Sequence, residues 1–204
     1  MTILKRKGGE TVRVWIDSIA GLLALIDMDV VEVHPWGATV DNIERPDLLV
    51  FDLHPGDGVE WLRVSDSALS LRHLLEKEGY DSWPKGGSEG DLHIMVPIEP
   101  PLLEWEAARA YCKLLARELA AIAPDSFTLD PGADKRVGRI YIDVLRNGRG
   151  STAIGAYSPI AQLGFPIAAP LTWEQVEAGV PLSNFTMTNP TGRQVRNRRG
   201  LRNL

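Results

Sequence analysis

The sequence is poor in cysteine, in long apolar runs and in net positive charge. Only Cys112 occurs in 204 residues, which excludes an intramolecular disulfide framework and a cysteine-built metal cluster. It lies among Ala110, Tyr111, Leu114 and Leu115, the setting of a reduced thiol buried on a helix. No apolar run approaches the roughly 20 residues that span a bilayer. Met1-Thr2-Ile3-Leu4-Lys5-Arg6-Lys7 lacks the apolar core of a secretory signal, so the expectation is a cytoplasmic protein with no membrane partner. The formal net charge of -5 argues against a uniformly basic surface. Neither a repeat of solenoid period nor a low-complexity linker is visible. What is present, 44% hydrophobic and 24% charged residues, suits one globular domain with a substantial core.

Positive charge is nonetheless clustered. Lys135, Arg136, Arg139, Arg146 and Arg149 are interrupted by a single acid, Asp143, while Arg193, Arg196, Arg198, Arg199 and Arg202 are interrupted by none. Such runs read either as a local phosphate-attracting patch or as a solvated end. Residues 1–10 read as a flexible N-terminus, 11–182 as the folded domain and 183–204 as a basic tail.

The coarse elements follow from periodicity and punctuation. A strand is expected over Thr11 to Ile16, then a helix capped by Asp17 and carrying Ile19, Leu22, Leu23, Leu25 and Ile26. Val30, Val31 and Val33 suggest a strand ending at His34-Pro35-Trp36-Gly37, where His34 and Trp36 face a ligand or simply pack over the sheet. Helices are expected from Asp57-Gly58 to about Glu78, stopping at Gly79, and from about Leu103 to Ile122. Trp83 to Asp91 reads as a glycine-rich loop, and Thr172 with Gln175 has the spacing of a capping box.

The stretch Leu48-Leu49-Val50-Phe51-Asp52-Leu53-His54-Pro55-Gly56 organises the rest. It reads as a buried strand closed by a turn, with Leu49, Phe51 and Leu53 on one face and Asp52 and His54 on the other. The strand Leu92 to Ile98 sets His93 opposite an apolar row, and Arg139 to Leu145 sets Tyr141 and Asp143 opposite another. One sheet face would then pack on the long helices while the other offers Asp52, His54, His93 and Asp143. Such a group can share a metal ion or a proton.

These residues carry a resemblance. Val50 to Gly56, Leu92-His93-Ile94, Arg139 to Asn147, and Ala156-Tyr157-Ser158-Pro159 through Pro170-Leu171-Thr172-Trp173 resemble, in order, the polymerase domain of bacterial DNA ligase D, within the archaeo-eukaryotic primase superfamily. The segment from Asp17 to Pro46 is similar to it as well. The resemblance implies an α+β, primase-like core, a mixed β-sheet with helices packed on one face, supporting two-metal nucleotidyl transfer in DNA end joining. It implies Asp52 and Asp143 as catalytic metal ligands with His54 beside them, His93 at the nucleotide phosphates, and Lys85, Ser88 and His34 around the same pocket. Arg136, Arg139, Arg146 and Arg149 are the candidate nucleic-acid contacts. The implied partners are DNA ends or a gapped duplex, a nucleoside triphosphate and other end-joining proteins.

Departures from the family bear on activity. His54 replaces the second carboxylate of an Asp-x-Asp motif; magnesium prefers oxygen ligands, whereas imidazole suits manganese, zinc and similar ions. The glycine loop, usually Lys-Thr-Ser-Gly-x-x-Gly-x-His, here reads Lys85-Gly86-Gly87-Ser88-Glu89-Gly90-Asp91-Leu92-His93. Asp91 thus sets an anion where glycine would approach the triphosphate, at a cost on the order of 1 to 4 kcal/mol. Ile160 and Gln162 stand where arginines are usual, and the resemblance lacks the family's N-terminal portion. The expectation is impaired or lost nucleotidyl transfer. The alternatives are an active enzyme using manganese rather than magnesium, a silent DNA- or protein-binding module needing no cofactor, and a structural or hydrolytic zinc site at Asp52, His54, His93 and Asp143.

Overall fold

The structure, a computed structural model, describes residues 2–5, 12–88 and 90–193. β1 (Thr2–Lys5) pairs antiparallel with β2 (Val12–Trp15), so part of the expected flexible start is a strand. α1 (Ile19–Asp27) is capped by Ser18 rather than Asp17: the Ser18 hydroxyl accepts from the Gly21 amide at 3.2 Å. This helix is apolar nearly all round and can bury only one side. Gly21 and Leu25 are buried, while Ile19, Leu22, Leu23 and Ile26 remain exposed. Val30 to Val33 form no strand. Val33 and Pro35 instead accept single bonds from the Gly155 and Ala153 amides, and Pro35 has no amide with which to extend a ladder.

The core is a mixed five-stranded sheet. Its members are β3 (Leu48–Pro55), β4 (Trp83–Gly86), β5 (Leu92–Pro97), β6 (Phe127–Thr128) and β7 (Ile140–Asp143), in the order β4-β5-β3-β7-β6. All neighbours are antiparallel except β6 and β7. β4 comes from the stretch read as loop. Its proline and glycine conceal a strand on the sheet edge, where a missing amide is tolerated.

α2 (Trp61–Lys77) and α3 (Trp105–Ile122) cover one sheet face. Leu49, Phe51, Leu53, Leu92, Ile94, Val96, Ile140 and Ile142 meet Val64, Leu71, Leu75, Leu115 and Leu119 there. Each such side chain contributes about 1.5 to 3 kcal/mol on burial. Cys112 lies in this core, where burial pushes its thiol up to about 12 and leaves it inert.

A one-turn helix, α4 (Ala133–Arg136), precedes β7, and α5 (Trp173–Glu177) begins with the expected capping box. The chain beyond residue 182 does not leave the domain: Phe185 is buried in the main core and its carbonyl accepts from the Ile167 amide. Arg196, Arg198, Arg199 and Arg202 lie outside the described residues. Among the described residues, no helix is long and apolar enough to cross a membrane.

Candidate functional site

On the sheet face turned away from α2 and α3, register builds a transverse row. Lys85 pairs with His93, His93 with Asp52, and Asp52 with Asp143, across β4, β5, β3 and β7. Directly opposed residues in antiparallel strands share a face, so these four side chains are neighbours by backbone geometry alone.

Asp52 is the centre. It is fully buried, and its Oδ2 lies 3.1 Å from His54 Nε2, 3.3 Å from His93 Nε2 and 3.4 Å from Arg146 Nε. Burial alone would raise its pKa, yet the hydrogen bonds and charges of His54 and His93 hold the carboxyl well below the usual range. Its other oxygen, Oδ1, is buried without a hydrogen-bond partner. An ionised oxygen left so is costly unless a cation or donor meets it.

His54 is gripped on both edges. Its Nδ1 lies 2.9 Å from Asp91 Oδ2, and its ring stacks on Tyr141 at 5.8 Å between centroids. Burial opposes charge on the ring, but Asp52 and Asp91 outweigh it and carry the pKa up to about 10. Burial raises the Asp91 carboxyl against the pull of His54. His93 Nδ1 lies 3.1 Å from Lys85 Nζ, which also donates to the Ile154 carbonyl. An ammonium can only donate, so this contact sets the His93 proton on Nε2, facing Asp52. Lys85 is itself buried, and burial draws it down to about 8 against the attraction of Asp52.

Asp143 is half-buried and its Oδ1 accepts from the Leu145 amide at 2.7 Å, turning the chain into a 3-10 turn over Leu145–Asn147. That turn positions Asn147, which sequence reading missed. Its amide accepts from Val50 N at 2.8 Å and donates to Val50 O at 2.7 Å, replacing the strand partner β3 lacks once β7 has ended. At the other end of β3, a Cβ on Gly56 would lie 1.8 Å from the Arg136 carbonyl oxygen, so only glycine fits this turn.

Asp52, His54, His93, Lys85 and Arg146 thus converge, while Asp143 faces Asp52 by register with its carboxylate turned to the Leu145 amide. The others do not join them directly. His34 bonds Glu32 at 2.9 Å; Ser88 lies in the turn before β5, its carbonyl accepting from the Asp91 amide. Arg136 and Arg139 flank the Gly56 turn, and Arg149 is paired with Glu44 at 2.6 Å. Arg146, expected to meet nucleic acid, reaches Asp52. Asp91, read only as an opposing anion, joins the cluster; it stands two residues before His93, and that spacing signalled a shared face. Asp52, His54 and Asp91 offer ligand atoms within 4.8 Å of one another. The partnerless, ionised oxygen of Asp52 makes this donor set suitable for a divalent cation.

Comparison with known proteins decides the family. The family model for the LigD primase-polymerase domain matches residues 1–199. The chain belongs to this family. It is 31% identical over 163 residues to the multifunctional non-homologous end joining protein LigD of Pseudomonas aeruginosa, covering 80% of this chain and 19% of that protein. It is 28% identical over 171 residues to the bifunctional LigD of Bacillus subtilis, covering 84% and 28%. The polymerase domain of Mycobacterium tuberculosis ligase D, solved in complex with DNA, superposes with a TM-score of 0.78 at 27% identity, over 87% of this chain and 64% of that one. The chain therefore spans under a third of those two LigD proteins, and its mixed sheet is the LigD polymerase α+β core.

Proposed function

We propose that this chain acts at DNA ends as a LigD-type nucleotidyl-transfer domain whose magnesium-supported transfer is impaired and which depends on manganese-like ions. The observation that carries the reading is the row Lys85–His93–Asp52–Asp143, with Asp52 Oδ1 partnerless and the His54 imidazole beside Oδ2. The DNA in the mycobacterial neighbour supports DNA as the partner, and the relatives' names support end joining as the setting.

Asp52 and Asp143 would hold the divalent ion, with His54 Nε2 as a nitrogen donor once the ion has displaced its proton. Such an ion supplies Lewis-acid activation of a 3′ hydroxyl and charge neutralisation at a triphosphate. Lys85 sets an ammonium and His93 an imidazole along the same row, where triphosphate oxygens can be oriented. Tyr141 keeps the His54 ring in plane, and Arg146 limits the negative charge left on Asp52.

A second reading, a silent binding module, draws on the contacts of His54, His93 and Arg146 with Asp52 Oδ2, since these nitrogen groups compete with an added cation for that oxygen. Primer extension on a gapped duplex separates the two. The expected result is incorporation with manganese, at least about tenfold less with magnesium as oxygen-ligand preference dictates, and none for Asp143→Ala. Incorporation absent with every divalent ion favours the module; equal rates with both ions contradict the impairment.

A further inference from the structure

His54 on β3 and Asp91 in the loop before β5 meet in space, 2.9 Å apart. A second carboxylate thus stands on the far side of the imidazole from Asp52. Because the ring's two nitrogens lie on different edges, a bond from Nδ1 to Asp91 leaves Nε2 turned to Asp52, 3.1 Å from Oδ2. A carboxylate on the far nitrogen of a ligating histidine fixes its ring and strengthens it as a donor. Asp91 is itself mostly buried, so its contact with His54 is sheltered from water.

The geometry points to Asp91 as a positioning residue that holds His54 as a nitrogen ligand and so makes the Asp52 centre select manganese, cobalt or zinc over magnesium. The inference rests on the reading that this centre holds a divalent ion. It adds that His54 and Asp91 act as a pair. Imidazole suits such ions better than magnesium, which demands an oxygen shell.

The test is metal binding by the full chain, free of DNA and nucleotide. Cobalt is titrated by visible absorption, which registers nitrogen ligation, and manganese and magnesium by calorimetry. The wild-type chain is expected to bind cobalt with a nitrogen-ligand band. In Asp91→Asn, cobalt and manganese should bind about 10- to 100-fold more weakly, the usual effect of losing such a partner, with magnesium changed less than about twofold. The double variant His54→Asp, Asp91→Gly should lose the band and bind magnesium about tenfold or more tightly than wild type, as an all-oxygen site does.

Asp91→Asn with unaltered cobalt affinity and band overturns the pairing while leaving the ion site standing. Equal losses for all three ions also overturn it, because Asp91 would then be a direct ligand or a structural support, which circular dichroism tells apart. A wild-type chain that binds none of the three removes both the pairing and the ion site.

Discussion

His54 sits between Asp52 and Asp91, and its proton is part of what holds β3 against the loop before β5. Its pKa rises from 6.5 to about 10 on folding, so the folded state keeps a proton that the unfolded chain releases. The stabilisation is fully present below pH 6.5 and lost as pH climbs toward 10, at about 1 kcal/mol per pH unit. Lys85 works the other way: its pKa falls from 10.5 to about 8, so the unfolded chain binds the extra proton between those values and stability rises with pH there. Urea unfolding in chelator-treated buffer should show stability falling from pH 7 to 8 and flattening between 8 and 9, before the buried Cys112 thiol, raised from 9.0 to about 12, renews the fall. His54→Gln should abolish the first fall; a first fall that survives in that variant would place the titrating group elsewhere. At this scale the sequence showed that Asp52, His54, His93 and Asp143 share a face, because strand alternation is local. It did not show Arg146 on Asp52 or Asp91 on His54, because those contacts depend on where a turn and a loop end in space.

Among the elements, β3 is the one whose failure would dismantle the site, and its ends are held by residues outside any strand. Asn147 satisfies both the amide and the carbonyl of Val50 in a buried setting. Asn147→Ala strands both, and each buried unpaired group costs about 1 to 3 kcal/mol, so a loss of roughly 2 to 4 kcal/mol is expected by urea denaturation. A loss below about 0.5 kcal/mol would mean that water or a neighbour replaces the side chain. Strands and long helices were legible where apolar residues recur at period 2 or 3.6. Two segments misled. Val30 to Val33 has the β-branched composition of a strand but makes isolated bonds, to Leu25, Gly155 and the Ser158 hydroxyl, and Trp83–Gly86 has the composition of a loop but pairs with β5. In both, the partner decided the outcome, not the segment.

For the whole molecule, the folded unit extends past residue 182. Phe185 is 2% exposed and packs in the same core as Phe51 and Leu71. Phe185→Ala should cost about 3 to 5 kcal/mol, and truncation after Leu182 at least as much, by urea denaturation. A truncated chain of unchanged stability would contradict that packing. The fold was legible because one stripe of apolar alternation runs through β3, β5 and β7 and two long amphipathic helices follow it. The boundary was not, because Phe185 is a single apolar anchor in a polar stretch.

A crystal of this chain soaked in manganese tests the cation-accepting centre at Asp52 most directly. The predicted result is an anomalous peak bonded to the Asp52 and Asp143 carboxylates with His54 Nε2 as a nitrogen ligand. Anomalous signal absent from this face, with Asp52 Oδ1 still partnerless and His54 still bridging two carboxylates, would contradict it.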